Sequence, residues 1–408
     1  MNAFPTVELT VYPFECDAFG HLNEASFLAL YERARWDALA KGPGMDLFRR
    51  SGVWPAVRKA SIEYHAGVYP ADVLRIETIV TRRGTTSFSL RHTATRLKDG
   101  AQVSEAELVF VCVDPLGRPA PIPEEVGNFL GPRVAKGTEL LRVETGKGGA
   151  TLPVEVRGEG DIILFVHGFP LDHTMWRHQM AGLTKWKRVA PDLRGFGGAT
   201  APPHPEAYSM GRYADDLIAV LDAVGGASRA VVCGLSMGGY IVFELLRRHP
   251  ERIRALVLCD TKAEPDTAEG RKVRDEQAGL AEREGVAAVV DRLLPKLLGK
   301  ATHRAQPELV AEVREVMLRS SVPGFAGALR AMRDRPDSTP DLAQIRMPTL
   351  VLGGAEDELI APAVMHQMAT QIPGARFDSI KSAGHMAPLE QPLAVGRVLG
   401  EFLESLPK

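Results

Sequence analysis

The sequence has little of what marks secreted, membrane-spanning or nucleic-acid-binding proteins. Its 408 residues include only four cysteines, and no two of them form a Cys-x-x-Cys pair, so we expect neither a disulfide framework nor a zinc cluster. No apolar run approaches the roughly 20 residues that a transmembrane helix needs. The formal net charge of −2 gives no electrostatic reason to expect binding to nucleic acid or to an anionic membrane.

A signal peptide is not expected either, because Met1–Pro5 lacks a basic segment followed by an apolar core. Cys112, Cys233 and Cys259 lie in apolar runs that predict strands, which favours buried free thiols. The hydrophobic content of 45% and the charged content of 25% are ordinary for globular domains. The sequence therefore predicts a cytoplasmic enzyme of two to three domains, at roughly 150 residues each.

Residues 1–130 predict a domain with one long helix and an antiparallel sheet. Glu8–Phe14 alternates as a strand does, and Asn23 is a suitable N-cap for a helix that runs to about Ala40. Four strand candidates separated by Gly-, Asp- and Pro-containing turns follow: Val53–His65, Val73–Arg82, Thr86–Leu97 and Ala101–Val113. Their turn signals predict an antiparallel meander, and the whole predicts an α+β sheet wrapped around a central helix.

One motif in this domain resembles a known family. Asp17-x-x-Gly20-His21-x-Asn23, followed by Tyr31-Glu32-x-Ala34-Arg35, is similar to the hotdog-fold acyl-CoA thioesterases of the 4-hydroxybenzoyl-CoA type. The resemblance implies a hotdog fold, an acyl-CoA substrate, and an Asp17 that acts on the thioester carbonyl as nucleophile or as base for water. It also implies a homo-oligomer that forms through the hotdog sheets and binds substrate across the interface.

The start of the predicted helix suits this chemistry. A helix N-terminus carries about half a positive charge and has backbone N–H groups without intrahelical partners. The resemblance places backbone amides near Asn23 and Glu24 beside the thioester oxygen, with His21 in the same loop. Glu24 and Ser26 differ from the Asn and aromatic residues of many relatives. An alternative therefore stays open, in which Asp17 only accepts bonds from loop amides and the domain is a non-catalytic acyl-binding or dimerisation module.

Residues 131–138 contain Gly and Pro without periodicity and predict a linker before a second domain at 139–408. In that domain, apolar runs such as Ile162–Val166 alternate with amphipathic segments. This alternation predicts a parallel sheet with right-handed crossovers, whose functional residues lie at the carboxyl ends of the strands. Residues 262–342 predict a largely helical stretch.

A candidate nucleophile, base and acid lie in this second domain. The apolar run before Gly234-Leu235-Ser236-Met237-Gly238 and the amphipathic run after it predict strand, sharp turn and helix, the context that exposes a reactive serine. A serine needs a base that titrates near neutrality, and His385 follows in a loop near the C-terminus. Asp357, after the strand candidate Thr349–Leu352, is the favoured acid over its neighbours Glu356 and Glu358.

The second domain resembles the α/β-hydrolase superfamily through five motifs in order. They are His167-Gly168-Phe169-Pro170, Asp192-x-Arg194-Gly195-x-Gly197, the Ser236 motif, Gly354-x-x-Asp357 and Gly384-His385. The resemblance is to esterases and lactonases of the 3-oxoadipate enol-lactonase and arylesterase kind. It implies an oxyanion hole from the N–H groups of Phe169 and Met237, a loop-fixing role for Asp192 and Arg194, and a helical cap at 262–342. No metal or organic cofactor is needed.

Three functional interpretations follow. The leading one is a bifunctional hydrolase, in which a serine ester hydrolase follows an acyl-CoA thioesterase. The second keeps the hydrolase and makes the hotdog domain a binding or dimerisation module. The third makes the second domain a lactonase or perhydrolase with the same three residues. Ser236 excludes the dehalogenase and epoxide hydrolase branches, which carry aspartate at this turn.

Overall fold

The computed structural model describes residues 4–41, 44, 46–130, 138–146, 149–226 and 228–407. These residues divide into two compact units, the first ending at Thr138 and the second beginning at Glu139. The predicted linker at 131–138 lies, except for Thr138, outside the described residues. In the described part of the chain, every helix is too short or too polar to cross a membrane.

The first unit packs one long helix against a five-stranded antiparallel sheet. Its elements are β1 (Val7–Thr10), α1 (Glu24–Lys41), α2 (Leu47–Arg50), β2 (Trp54–Tyr64), β3 (Val73–Arg83), β4 (Ser87–Arg96), β5 (Gln102–Val113) and α3 (Glu124–Leu130). Helix α1 buries side chains spaced three and four residues apart, among them Phe27, Tyr31 and Ala34. This amphipathic spacing places α1 on one face of the sheet, which confirms the predicted α+β arrangement.

The predicted meander is only partly correct. The strand order is β1-β3-β4-β5-β2, so β3, β4 and β5 are neighbours, but β2 pairs with β5 at the far edge. Strand β3 pairs instead with β1, through the register Val7 to Ile76. The turn at Tyr69–Asp72 therefore joins strands that are not neighbours, because turn residues report a change of chain direction without identifying the partner strand.

The second unit is an eight-stranded sheet with helices between its strands. Its strands are β6 (Thr138–Glu144), β7 (Thr151–Arg157), β8 (Ile162–Val166), β9 (Lys187–Pro191), β10 (Ala230–Leu235), β11 (Ile253–Cys259), β12 (Thr349–Gly354) and β13 (Arg376–Ile380). Its helices are α4 (Arg177–Gly182), α5 (Met210–Gly225), α6 (Met237–Arg248), α7 (Ala268–Glu284), α8 (Ala287–Leu297), α9 (Lys300–Ala305), α10 (Pro307–Leu318), α11 (Val322–Arg333), α12 (Pro362–Gln371), α13 (Ala387–Glu390) and α14 (Pro392–Glu404).

The strand order in this sheet is β13-β12-β11-β10-β8-β9-β7-β6. Neighbouring strands from β9 to β13 are parallel, and β7 is antiparallel to β9. Every residue of β8, β10 and β12 is buried, as expected for parallel strands that are covered on both faces. The prediction of a parallel sheet is confirmed, and its carboxyl edge gathers the loops that carry the candidate residues.

Five consecutive helices, α7 to α11, connect β11 to β12. They fall within the stretch 262–342 that the sequence predicts to be helical. Helix α11 is amphipathic, and Phe325 and Leu329 on its buried face belong to the core of the second unit. The helical insertion is therefore packed onto the unit and is part of its hydrophobic core.

Buried polar side chains fix the loops after β8 and β9. Asp192 accepts hydrogen bonds from the backbone N–H groups of His173 (3.0 Å) and Gly198 (2.8 Å), and His173 Nδ1 donates to Asp192 Oδ1 (2.5 Å). Arg194 donates two bonds of 2.6 Å to the buried Asp216. Both side chains therefore tie down their loop, as the resemblance implies.

The surroundings of the pair His173–Asp192 favour its charged form. Burial alone would lower the pKa of His173, but Asp192, with Asp172 and Glu155, raises it to about 9. Burial alone would raise the pKa of Asp192, but the facing His173 holds it below its ordinary range. Each charge thus offsets the cost of burying the other.

This pair predicts how stability depends on pH. Since the folded pKa of His173 lies above its ordinary value, its contribution is complete below about pH 6.5 and is lost as the pH rises through about 9. His173→Gln should lower the free energy of unfolding by on the order of 3 kcal/mol near pH 6.5 and by much less at pH 10. Urea denaturation of both proteins across this range checks the prediction.

The matched control is His249→Gln, because His249 has 29% of its side chain exposed and lies within 3.6 Å of Asp215 at the surface. This variant should follow wild type at every pH. A stability loss in His173→Gln that is the same at pH 6.5 and pH 10 would contradict a charged His173.

Candidate active site

Ser236 forms the sharp turn between β10 and α6. Its backbone has φ 54° and ψ −114°, in the left-handed region that residues with a Cβ rarely adopt. Two hydrogen bonds from the neighbouring strand hold it there: Ser236 N–H donates to Cys259 O (2.9 Å), and Thr261 Oγ1 donates to Ser236 O (2.9 Å). The side chain is half-buried and lies on the wall of a cavity.

The glycines around Ser236 are required by close backbone approaches. A Cβ on Gly238 would lie 2.3 Å from Val166 O, and a Cβ on Gly234 would lie 2.5 Å from Gly238 O. A Cβ on Gly239 would lie 2.3 Å from Thr261 Oγ1, the group that holds the Ser236 carbonyl. Each distance is shorter than a carbon–oxygen contact allows, so this turn needs its glycines for packing.

His385 and Asp357 are hydrogen-bonded to each other. The distance from His385 Nδ1 to Asp357 Oδ2 is 2.8 Å, and both side chains are almost fully buried. The other oxygen of Asp357 accepts from the N–H groups of Leu359 (2.8 Å) and Ile360 (3.0 Å). Since Asp357 accepts the Nδ1 proton, the histidine keeps Nε2 for another partner.

The two rival acids are elsewhere. Glu356 and Glu358 are exposed, and Glu358 pairs with Lys300 at 2.9 Å. Asp357 is therefore the acid of this loop that meets His385.

Glu390, which the sequence analysis missed, holds the His385 loop in place. Its Oε1 accepts from the N–H groups of Gly384 (2.9 Å) and Met386 (3.1 Å), which flank His385. Its Oε2 accepts from Gly299 N–H (2.7 Å) and Thr302 Oγ1 (2.5 Å). Two of its four donors are close in the chain, and the other two, from Gly299 and Thr302, lie about 90 residues earlier, so no sequence motif marks the glutamate in this role.

Asp260 is a second carboxyl beside the pair. It follows β11 directly, has φ 44°, and is fully buried. Its Oδ1 accepts from Gly354 N–H (2.7 Å), whereas Oδ2 has no hydrogen-bond partner in the described part of the chain. Carboxyl oxygens of Asp260 and Asp357 and a ring nitrogen of His385 lie within 4.8 Å of one another. Burial raises the pKa of Asp260 well above its ordinary range and Asp357 raises it further, which favours the protonated form.

Two backbone N–H groups near Ser236 have no acceptor among the residues that the structure describes. His167 Nε2 accepts from Leu193 N–H (3.0 Å) and its Nδ1 donates to Gly168 O (3.0 Å), which fixes the loop that carries Phe169. Among the described residues, the N–H groups of Phe169 and Met237 have no hydrogen-bond acceptor. Met237 is the first residue of α6, where N–H groups lack intrahelical partners.

Ser236 and His385 line one cavity of about 430 Å³. Apolar side chains from the loops and from the helical insertion line it as well: Phe169, Val273, Leu293, Leu297, Met332, Leu359 and Ile360. Leu293, Leu297 and Met332 are the contributions of α8 and α11 to this apolar lining. Met317, Phe325 and Leu329 are instead buried in the core.

In the first unit, Asp17 lies in an exposed loop before α1. Its Oδ1 accepts from the N–H groups of Phe19 (2.8 Å) and His21 (3.0 Å), and its own N–H donates to His21 O (2.7 Å). The ring of His21 lies 3.3 Å from the Tyr69 hydroxyl. One oxygen of Asp17 therefore has the structural role that the sequence analysis kept as an alternative.

The start of α1 offers fewer amides than the sequence suggests. Asn23 caps the helix, since its Oδ1 accepts from Ala25 N–H (2.8 Å). Its own N–H donates to Glu15 O (3.0 Å), so the Asn23 amide is not available for a thioester oxygen in this arrangement. In the described residues the N–H groups of Glu24 and Ser26 have no acceptor, and they are the remaining candidates.

Comparisons with known proteins match both units. A family model of the α/β hydrolase fold matches residues 161–392, and a model of the thioesterase-like superfamily matches residues 11–130. A thermophilic esterase from Thermogutta terrifontis, solved with malate bound, is 37% identical with a TM-score of 0.64, over 66% of this chain and 100% of that chain.

Two enol-lactonases are also similar. The structure of the enol-lactonase from Burkholderia xenovorans LB400 is 29% identical with a TM-score of 0.57, over 66% of this chain and 98% of that one. The 3-oxoadipate enol-lactonase 1 of Acinetobacter baylyi is 26% identical over 64% of this chain and 96% of its own length. With the fold of its second unit, these matches show that the chain belongs to the α/β hydrolase family and carries a thioesterase-like hotdog domain before its hydrolase unit.

Proposed function

We propose that the second unit is a carboxylic ester hydrolase that works through an acyl-enzyme on Ser236. The observation that carries the proposal is the His385–Asp357 pair, 2.8 Å apart, on the same cavity as a serine in a left-handed turn. A nucleophile, a base and an acid that orients the base are the parts that serine hydrolysis needs.

The chemistry proceeds in two steps. His385 Nε2 takes the proton of Ser236 Oγ as the oxygen attacks the ester carbonyl, and Asp357 stabilises the imidazolium that forms. The N–H groups of Phe169 and Met237, which have no acceptor in the described part of the chain, bind the developing oxyanion. The imidazolium returns its proton to the leaving alcohol, and water then hydrolyses the acyl-enzyme with His385 again as base. In this scheme α7 to α11 act as a cap, because α7, α8 and α11 supply part of the cavity wall.

A lactonase is the second candidate for this unit. The similarity to two enol-lactonases favours it, and a lactone is a cyclic ester that the same residues would open. The perhydrolase alternative also uses these residues and differs only in the nucleophile that attacks the acyl-enzyme. A panel of esters and lactones, assayed with and without peroxide, separates the three activities.

We infer that the first unit binds acyl-CoA thioesters and pairs with a second copy through β2. Val57, Ala60 and Ile62 pair with Phe110, Leu108 and Ala106 of β5, which are buried. Cross-strand partners lie on the same face of a sheet, yet Val57 and Ala60 are exposed. Strand β2 is an edge strand of eleven residues with exposed apolar side chains on its core face, which favours pairing with another strand.

Asp17 is the proposed catalytic group of the thioesterase. Its Oδ1 is held by two loop amides, which leaves Oδ2 for attack on the thioester carbonyl or for activating water. Phe14 and Phe19, 84% and 86% exposed, lie in the same segment and support the view that a partner or an acyl group covers the loop.

Ser236→Ala should lower kcat/KM for activated esters roughly a million-fold, because the acyl-enzyme cannot form. It should also prevent labelling by a fluorophosphonate, which mass spectrometry detects. Ser379→Ala is the matched control, since Ser379 is an exposed serine of β13. Labelling that persists in Ser236→Ala would contradict the assignment.

The two carboxyls beside His385 should differ in their effects. Asp357→Asn should lower kcat/KM about 10⁴-fold, since the imidazolium loses its counter-charge and the tautomer changes. Asp260→Asn should retain most activity, because burial and the neighbouring Asp357 raise the pKa of the Asp260 carboxyl and so favour its neutral form, which an amide resembles. Steady-state kinetics on one activated ester tests both, and equal losses would contradict separate roles.

Acyl-CoA hydrolysis distinguishes the interpretations of the first unit. Asp17→Asn should abolish acyl-CoA hydrolysis while ester hydrolysis stays intact, and Ser236→Ala should do the reverse.

Pairing through β2 is tested by Ala60→Asp, which places a charge in the middle of that strand. This variant should reduce thioesterase activity, and it should also lower the molecular mass of the protein in solution, which light scattering measures. Leu393→Lys, at a site that is 89% exposed in the second unit, is the control.

Loss of acyl-CoA hydrolysis in Ser236→Ala alone, with Asp17→Asn unaffected, would overturn the thioesterase proposal. The first unit would then be a binding or assembly module. An unchanged mass in Ala60→Asp would instead contradict pairing through β2.

A further inference from the structure

The cavity around Ser236 carries an excess of positive charge. Its lining includes the cations Lys262, Arg274, Arg292 and Lys296 and the acids Asp266 and Glu269. Asp266 is already engaged, because Arg274 (3.1 Å) and Arg335 (2.9 Å) both pair with it. Glu269 is exposed in the first turn of α7. Three cations on this wall therefore have no carboxylate partner within the described residues.

Lys262 is the most informative of the three. It follows Thr261, whose hydroxyl holds the Ser236 carbonyl, so its backbone is close to the nucleophile. Its side chain is half-buried. Burial lowers the pKa of Lys262, Arg335 lowers it further, and Asp266 and Glu264 offset this only in part. An ammonium group that is partly withdrawn from water and only partly balanced by nearby carboxylates is costly, and an anionic ligand lowers that cost.

The other two cations lie on α8 with apolar neighbours. Arg292 and Lys296 are four residues apart and therefore on one helix face, and both are exposed. Leu293 and Leu297, each next in the chain, line the same cavity with Met332. The wall thus combines an apolar surface with cationic groups, which suits a molecule that has both a carbon chain and an anionic end.

We propose that the ester or lactone attacked by Ser236 carries a carboxylate apart from the reacting ester group. Lys262 binds this carboxylate, and Arg292 and Lys296 attract it at the cavity wall. This inference rests on the proposed ester hydrolase function and adds the class of substrate, namely carboxylate-bearing esters rather than neutral ones.

A pair of esters that differ only in this charge tests the proposal. Mono-4-nitrophenyl pimelate and 4-nitrophenyl heptanoate have the same chain length, and the pimelate carboxylate is too distant to form a five- or six-membered anhydride. Wild type should show the higher kcat/KM for the pimelate ester. Lys262→Met should lower that value roughly 10- to 100-fold, the effect of losing a hydrogen bond to a charged group. The heptanoate value should stay nearly constant.

Two further variants separate this effect from general damage. Lys272→Met changes an exposed lysine of α7 outside the cavity lining and should leave both esters unaffected. Arg292→Met with Lys296→Met changes only exposed side chains, so it keeps the test valid if Lys262→Met fails to fold. It should reduce the preference for the anionic ester, and raising the salt concentration should do the same in wild type.

The outcomes distinguish the two levels of the proposal. Ser236-dependent hydrolysis of both esters, without an anionic preference or with equal losses in Lys262→Met, would overturn the substrate class and leave the hydrolase standing. If neither ester is hydrolysed through Ser236, the hydrolase proposal fails. Calorimetric titration of Ser236→Ala with both esters then decides the substrate class separately. Tighter binding of the pimelate ester, lost when Lys262→Met is added, supports it, and equal binding overturns it.

Discussion

The left-handed backbone of Ser236 is the constraint on which the hydrolase site depends. Such a conformation costs about 1–3 kcal/mol and persists only where surrounding contacts enforce it. Here Cys259 O and Thr261 Oγ1 hold the two peptide groups of the serine. The residue between them, Asp260, reaches Gly354 at the end of β12. The last residue of β11 and the two residues after it thus connect the serine turn on one side to the Asp357 loop on the other.

The carboxyls buried around this segment are accommodated in different ways. Asp357 accepts from two backbone N–H groups and from His385, and Glu390 accepts from four donors in two parts of the chain. Asp260, with one donor and one unpaired oxygen, is stabilised in its neutral form. An unpaired carboxylate in this region would repel an anion. Because these carboxyls are hydrogen-bonded or favoured in the neutral form, the cations of the cavity wall, above all Lys262, are expected to make the electrostatic potential in the cavity positive.

Much of this architecture could be predicted from the sequence. Buried parallel strands such as Ile162–Val166 are continuous apolar runs. The glycines around Ser236 mark a tight turn, because a side chain at these positions would collide with neighbouring atoms. Strand β13 could not be found in this way, because Arg376 and Asp378 make it a partly exposed edge with no apolar run. Asp260 could have been suspected from its position after β11, whereas nothing local marks Glu390.

Long-range pairing was the other limit. The four strands predicted between residues 53 and 113 match β2 to β5 closely, whereas the strand predicted at Glu8–Phe14 is only Val7–Thr10 and is followed by a short helical turn at Pro13–Glu15. The pattern of the single strands did not place β2 beside β5. The same limit applies to the start of α1, where the motif predicts free amides. Glu15, eight residues before Asn23, has already accepted the bond from one of them. Motifs therefore identify the segment that carries a site more reliably than the atoms that remain available in it.

The two units differ in how much of a site one chain supplies. In the second unit, Ser236 and His385 line one cavity, and the buried carboxyls of Asp357 and Glu390 accept hydrogen bonds from the His385 ring and from the backbone beside it. In the first unit, Asp17 and His21 are exposed, and β2 leaves apolar residues of the sheet's core face uncovered. The carboxylate of Asp17 would attack a thioester, or activate water, more effectively in a site from which bulk water is excluded. Covering β2 and the Asp17 loop with a second copy would provide that surface, so assembly and catalysis in this unit are expected to be inseparable.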